Sequence, residues 1–310
     1  MTKIQNSTHH SFLLVIFFSP SEHRLRAGWR LMIQALLQIG FTLVAGLIIF
    51  LPYSLQSGIT NLNGLPFLGL SEVIEFLAIF LSIFLIRRCI DKRSFISLGL
   101  RPQKQTMVDI LTGIGVTFVM MGLIFVTEWW LGWLSIVSFA WNVDPVQNVI
   151  AQTLLFFVVF MVVGWNEELM SRGYHLQTIA SGLNLFWGLI ISSAIFGILH
   201  LANPHATWTG AFGIFFAGLF LGYAYIRTGQ LWLSMGLHMG WNFFEGVVFG
   251  FPVSGLDIFH LTHLNVTGPQ IWTGGNFGPE AGLIILPMLA LGSGMIFLYT
   301  RSNNNHETRY

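Results

Sequence analysis

The fourteen lysines and arginines of this 310-residue chain occupy only every second interval between its apolar segments. Eight such segments stand out, at 31–51, 67–86, 107–130, 149–164, 185–201, 210–226, 231–249 and 281–300. About twenty apolar residues carry a helix across a bilayer. With the N-terminus placed in the cytoplasm, the cytoplasmic intervals hold Lys3, Arg24, Arg26, Arg30, Arg87, Arg88, Lys92, Arg93, Arg101, Lys104, Arg172, Arg227, Arg301 and Arg309. The opposite intervals hold none, a complete positive-inside bias. The pattern predicts an all-α, polytopic transmembrane bundle of about eight spans with both termini cytoplasmic. Composition agrees: 9% of residues are charged, against about 25% in soluble domains. A surface solvated by lipid accounts for that deficit, and the 29 Phe and 11 Trp suit lipid-facing and interfacial positions.

The predicted organisation is a cytoplasmic or interfacial segment at 1–28, a transmembrane domain at 29–300 with its chemistry concentrated at 149–249, and a cytoplasmic tail at 301–310. The apolar run 12–18 is too short to span and reads as an interfacial segment. The chain does not end in a Cys-aliphatic-aliphatic-X box, so it is not expected to be prenylated itself. A single cysteine, Cys89, excludes a disulfide framework and a multi-cysteine metal site. The basic stretch 87–104 reads as a topology anchor touching anionic headgroups. The interval 250–280, rich in Gly, Pro, Thr and Asn, is expected to cap the outer face. Its His260 and His263 lack a third ligand and are read as unliganded. The net charge of +1 says nothing useful about nucleic acid, and no nucleic-acid partner is expected.

Ionisable groups inside a membrane are costly and mark function. The fourth segment runs into Trp165-Asn-Glu-Glu-Leu-Met-Ser-Arg172. Glu168 and Arg172 are four apart with the acid N-terminal, the better order for a helical ion pair. Glu167 is displaced about 100° around the helix and points elsewhere. Phe196 and His200 repeat the four-residue spacing on the fifth segment, and His238 and Asn242 repeat it on the seventh. Glu167 and His200 each lie about sixteen residues from the connection at 182–184, so an antiparallel hairpin sets them level. His238 and Asn242 reach the same level only if that hairpin projects further into the cytoplasm. Glu245 and Asp109 are polar residues without a role, facing a pore or an interface.

A carboxylate beside an imidazole can hold and deprotonate water. A histidine and an asparagine on one face can donate to a developing oxyanion. That is equipment for hydrolysing an amide without a covalent intermediate. The same Glu167, His200 and His238 could instead supply three ligands to zinc or another divalent metal. The sequence leaves both open.

Glu-Glu-x-x-x-Arg, Phe-x-x-x-His and His-x-x-x-Asn, in that order on successive apolar helices, resemble the CPBP family of CAAX proteases and bacteriocin-processing proteins, also called Abi. His200-Leu-Ala-Asn-Pro, the text from Trp232 to Asn242 and the stretch from Asp91 to Arg101 read like bacterial members. The resemblance implies that Glu167 and His200 activate water, that His238 and Asn242 form the oxyanion site, and that Glu168 and Arg172 support Glu167. Phe196 would position His200. Members have been described both as metalloproteases and as glutamic endopeptidases; these roles need no metal. The expectation is an intramembrane endopeptidase of a bacterial plasma membrane, acting on a membrane-associated peptide or protein. The rival expectation is a non-catalytic immunity or scaffold protein, or a small transporter whose site is the polar cluster.

Overall fold

The computed structural model describes residues 16–19, 24–57 and 65–307. All eight apolar segments are helical, as backbone in lipid must be when each N–H and C=O has to find a partner internally. Helix α1 is Ala27–Ser57, and α2 is Leu65–Leu85, extended by a π-helical turn Ile86–Ile90. Helix α3 is Thr106–Trp130. Helix α4 runs from Val146 to Glu168, then continues as a π-helical stretch, Leu169–Leu176, and a last α-helical turn, Gln177–Gly182. Helix α5 is Leu185–Leu199 and α6 is Trp208–Thr228. Helix α7 is Trp232–Asn242 with a π-helical extension Phe243–Val248, and α8 is Ile285–Glu307. Six of these stretches are long and apolar enough to cross a membrane; α7 and the apolar part of α8, Ile285–Arg301, are shorter. The chain is an integral membrane protein built as a helical bundle.

Local chemistry sets several boundaries. The Asn184 side chain caps α5 by accepting from Trp187 N at 3.0 Å, and Thr207 caps α6 by accepting from Gly210 N at 3.1 Å. Gly229, at φ 63°, ends α6 in the left-handed region. The turn expected at 182–184 falls where α4 gives way to α5. Helix α4 runs on past its apolar run, which ends at Gly164, to Gly182, as the helical spacing of Glu168 and Arg172 and the connection at 182–184 required. Within it Glu168, Arg172, His175 and Gln177 make side-chain hydrogen bonds inside the protein. Arg172, counted above among the interval cations, is 1% exposed.

Helix α7 is central, with every residue from Leu233 to Asn242 buried. Glycines let it approach its neighbours backbone to backbone. A β-carbon at Gly113 of α3 would meet Leu237 N at 2.5 Å, and one at Gly240 would meet Ile114 Cα at 2.8 Å. On the other side, Gly164 of α4 lies against Met239 N. Small residues at crossings are how helices pack closely when lipid supplies no hydrophobic drive.

Outside the helices, strand β1 (Leu134–Phe139) pairs antiparallel with β2 (Thr262–Val266), with an irregularity between Ile136 and Ser138. This ladder ties the interval before α4 to the 250–280 interval. Of the run 12–18, only residues 16–18 are described, and Phe18–Ser19 pairs there with Arg24–Leu25; the rest lies outside the described residues. Asp109 lies at an interface, where its Oδ1 accepts from Tyr299 on α8 at 2.6 Å.

Candidate active site

Glu167 on α4 is brought between two imidazoles. Its Oε2 lies 3.8 Å from His200 Nε2 and 3.7 Å from His238 Nε2. Both distances exceed a direct hydrogen bond and suit a small molecule shared by all three groups. His200 begins a 3-10 turn, His200–Ala202, at the end of α5. Its Nδ1 donates to the Phe196 carbonyl at 2.8 Å, which leaves Nε2 facing Glu167 with a lone pair in the neutral ring.

The neighbouring acid has a different fate. Glu168 Oε1 accepts from Arg172 Nη1 at 2.6 Å and from His238 Nδ1 at 2.9 Å. The ion pair follows the helical spacing; the link to His238 crosses from α4 to α7 and was not foreseen. Arg172 also donates to the Gly218 carbonyl at 3.1 Å and lies 4.4 Å over the Phe196 ring. Phe196 meets His200 edge-on at 4.7 Å and His238 at 6.0 Å between ring centres. One phenyl ring thus braces both histidines and the arginine.

Glu167, His200, His238 and Phe196 line a cavity of about 650 Å³ whose remaining wall is mainly apolar, including Phe160, Ile214 and Phe220. Asn242 lines the same cavity one turn beyond His238. Five expected side chains therefore meet there: Glu167, His200, His238, Asn242 and Phe196. Glu168 and Arg172 stand behind them.

Three acids of the cavity were missed by sequence reasoning. Glu72 and Glu75 reach it from α2. Glu280 reaches it from the turn Pro279–Ala281, where its carboxylate accepts from Trp241 Nε1 at 3.1 Å and from the Ser254 amide at 2.9 Å and hydroxyl at 2.5 Å. Burial pushes the Glu280 carboxyl up from the usual carboxylate range, opposed by Ser254 and by the facing His200 and His238. Glu245, left without a role above, is fully buried beside Gly278. The only sequence signal for Glu72, Glu75 and Glu280 was the rarity of acids near apolar helices.

Glu167, His200 and His238 offer the nitrogen and oxygen donors that zinc takes. As placed, no three His, Cys, Asp or Glu side chains among the described residues are grouped as ligands of an ion. In the 250–280 interval, His260 Nδ1 donates to the Gly246 carbonyl at 2.8 Å, and its Nε2 lies 2.7 Å from Asp257 Oδ1.

Comparison with known proteins bears on the same region. Residues 149–244 match the family described as type II CAAX prenyl endopeptidase Rce1-like. A protein of Bacillus subtilis (strain 168) described as "Putative membrane peptidase YdiL" is 29% identical over 190 residues, which cover 60% of this chain and 73% of that one. The matched family region contains Glu167, Glu168, Arg172, Phe196, His200, His238 and Asn242, while Glu72, Glu75 and Glu280 lie outside it. The segment that builds the acid–imidazole pocket is the segment that matches the type II CAAX prenyl endopeptidase Rce1-like family.

Proposed function

We propose that the chain is an intramembrane endopeptidase that hydrolyses a peptide bond of a membrane-associated peptide or protein with a Glu167-activated water. One observation carries this reading: Glu167 Oε2 sits within 3.8 Å of both imidazole Nε2 atoms, on the wall of a largely apolar cavity. The family match at 149–244 and the Bacillus relative support peptidase chemistry, and that relative fits a bacterial plasma membrane.

In this mechanism one water donates its two protons toward Glu167 Oε2 and His200 Nε2, both acceptors. Its lone pair is thereby turned to the substrate carbonyl. Glu167 takes a proton as the oxygen–carbon bond forms. The developing oxyanion accepts from Asn242 and from His238 Nε2–H. For that, His238 must carry protons on both nitrogens, and Glu168 at Nδ1 together with Glu167 near Nε2 are the partners an imidazolium requires. The tetrahedral intermediate collapses, the carbon–nitrogen bond breaks, and Glu167 returns its proton to the leaving amine. Glu168 and Arg172 hold His238 and the helix in place and do not touch substrate.

The test compares membrane proteomes of cells carrying the wild-type chain or Glu167→Ala. Peptides with new termini should appear only with the wild type, and identical termini from both would end the proposal. The route above needs no metal. The purified chain is therefore expected to hold no stoichiometric zinc, and cleavage should survive dialysis against a chelator. Loss of cleavage restored by zinc would replace this mechanism with a metal-assisted one.

A further inference from the structure

The end of α2 opposite its cavity-facing acids holds a second, chemically opposite pocket. It measures about 470 Å³ and is lined by Phe84, Arg87, Arg88, Lys92, Arg93, Ser94 and Phe95. Four cations thus surround one small space. The nearest carboxylate is already shared three ways: Asp91 pairs with Arg24 at 3.6 Å, Arg30 at 3.0 Å and Arg87 at 3.2 Å. Arg88, Lys92 and Arg93 are exposed, and among the described residues none of them has a carboxylate within ion-pair distance. The backbone is bent to gather them. The π-helical turn Ile86–Ile90 closes with Asp91 N on the Ile86 carbonyl, Arg93 N bonds the Arg87 carbonyl, and Lys92 takes φ 52° between them.

The pocket continues into an aromatic stripe. Phe76, Phe80 and Phe84 stack along α2 with ring centres 6.0 and 5.9 Å apart, and Phe95 closes on Phe80 at 5.2 Å and on Phe84 at 6.2 Å. The exposed Leu77, Leu81 and Phe84 flank the stripe on a helix long and apolar enough to cross a membrane. A soluble anion would need the cations but not the stripe. A phospholipid uses both: phosphate among guanidinium and ammonium donors, acyl chain along the rings.

We propose that this pocket is a binding site for one anionic phospholipid, its phosphate held by Arg88, Lys92 and Arg93 and its chain lying on Phe80 and Phe84. The site is separate from the acid–imidazole cavity, and the inference does not rest on the peptidase reading. It goes beyond a loop that merely touches headgroups, because it fixes a stoichiometry and a set of residues.

The experiment uses the full-length chain in a neutral detergent, titrated with phosphatidylglycerol or with phosphatidylcholine of the same acyl chains. Bound lipid is counted by native mass spectrometry. One phosphatidylglycerol should be retained, with at least a tenfold preference over phosphatidylcholine. Arg88→Ala/Lys92→Ala/Arg93→Ala should lose that preference, whereas Arg301→Ala, at another exposed arginine, should keep it. Arg88→Lys/Arg93→Lys, which preserves charge, should retain most of it. Inorganic phosphate should not displace the lipid, and Phe84→Ser should weaken it. Equal retention of the two lipids, or a triple variant that binds like the wild type, would overturn the proposal. Displacement by inorganic phosphate with no effect of Phe84→Ser would also overturn it, in favour of a soluble-anion site.

Discussion

The cavity has one firm wall and one loose one. The firm wall is the end of α4 with α6 and α7: Leu169–Leu176 is buried throughout, half of the most apolar stretch of α6 is buried inside the protein, and α7 is buried from Leu233 to Asn242. The loose wall is α1, which contributes Gln34 and Gln38. Only 6% of the corresponding stretch of α1 is buried, and Leu36, Leu43 and Leu47 are more than half exposed. Groups whose mutual geometry matters for chemistry are placed where packing fixes them. A wall that lets a substrate chain in from the bilayer need not be fixed so tightly.

Six substitutions, in four groups, test that contrast. The largest effect is expected on activity alone. Glu167→Ala or His200→Ala should lower cleavage by about 10²–10⁴-fold, as loss of a general base does. Glu167 accepts no hydrogen bond at its buried Oε2, so its removal should shift Tm by no more than about 2 °C. A large drop in Tm would show that the firm wall needs this acid structurally. Next, Glu168→Gln or Arg172→Ala should cost both activity and stability. Breaking a buried pair leaves one charge uncompensated, typically at about 3–5 kcal/mol, and thermal unfolding of the purified variant reads it. Third, Gly236→Ala forces a β-carbon onto the Ile110 backbone; overpacking of this kind costs about 1–3 kcal/mol. Last, Leu47→Ala on the loose wall should change stability by less than about 0.5 kcal/mol. A larger loss there would mean that α1 packs against something that lipid does not replace.

The sequence carried the bundle and the spacing-borne part of the site well. Charge placement marks helix ends independently of tertiary structure, and residues four apart on a helix share a face whatever surrounds them. Phe196 with His200, Glu168 with Arg172, and His238 with Asn242 were therefore legible. Contacts made across helices were not. The Glu168–His238 bond joins residues seventy positions apart, and Glu280 meets Trp241 from a turn that reads as polar loop. The continuation of α4 past Gly164 was legible from the spacing of Glu168 and Arg172, but its π-helical stretch Leu169–Leu176 was not. The β1–β2 ladder escaped notice because each strand is short and pairs with a distant one.

The length of α4 bears on where the reaction gets its water. A helix whose first turn lies level with one edge of a ~30 Å hydrocarbon layer reaches the far edge after about twenty residues. Glu167 follows Val146 by twenty-one positions, with fifteen more before Gly182. With Val146 at one edge of that layer, the carboxylate would fall at a hydrated boundary instead of the oily midplane. Under the proposed mechanism the hydrolytic water would then be drawn from the adjoining aqueous phase, and only the polypeptide to be cut would travel through lipid.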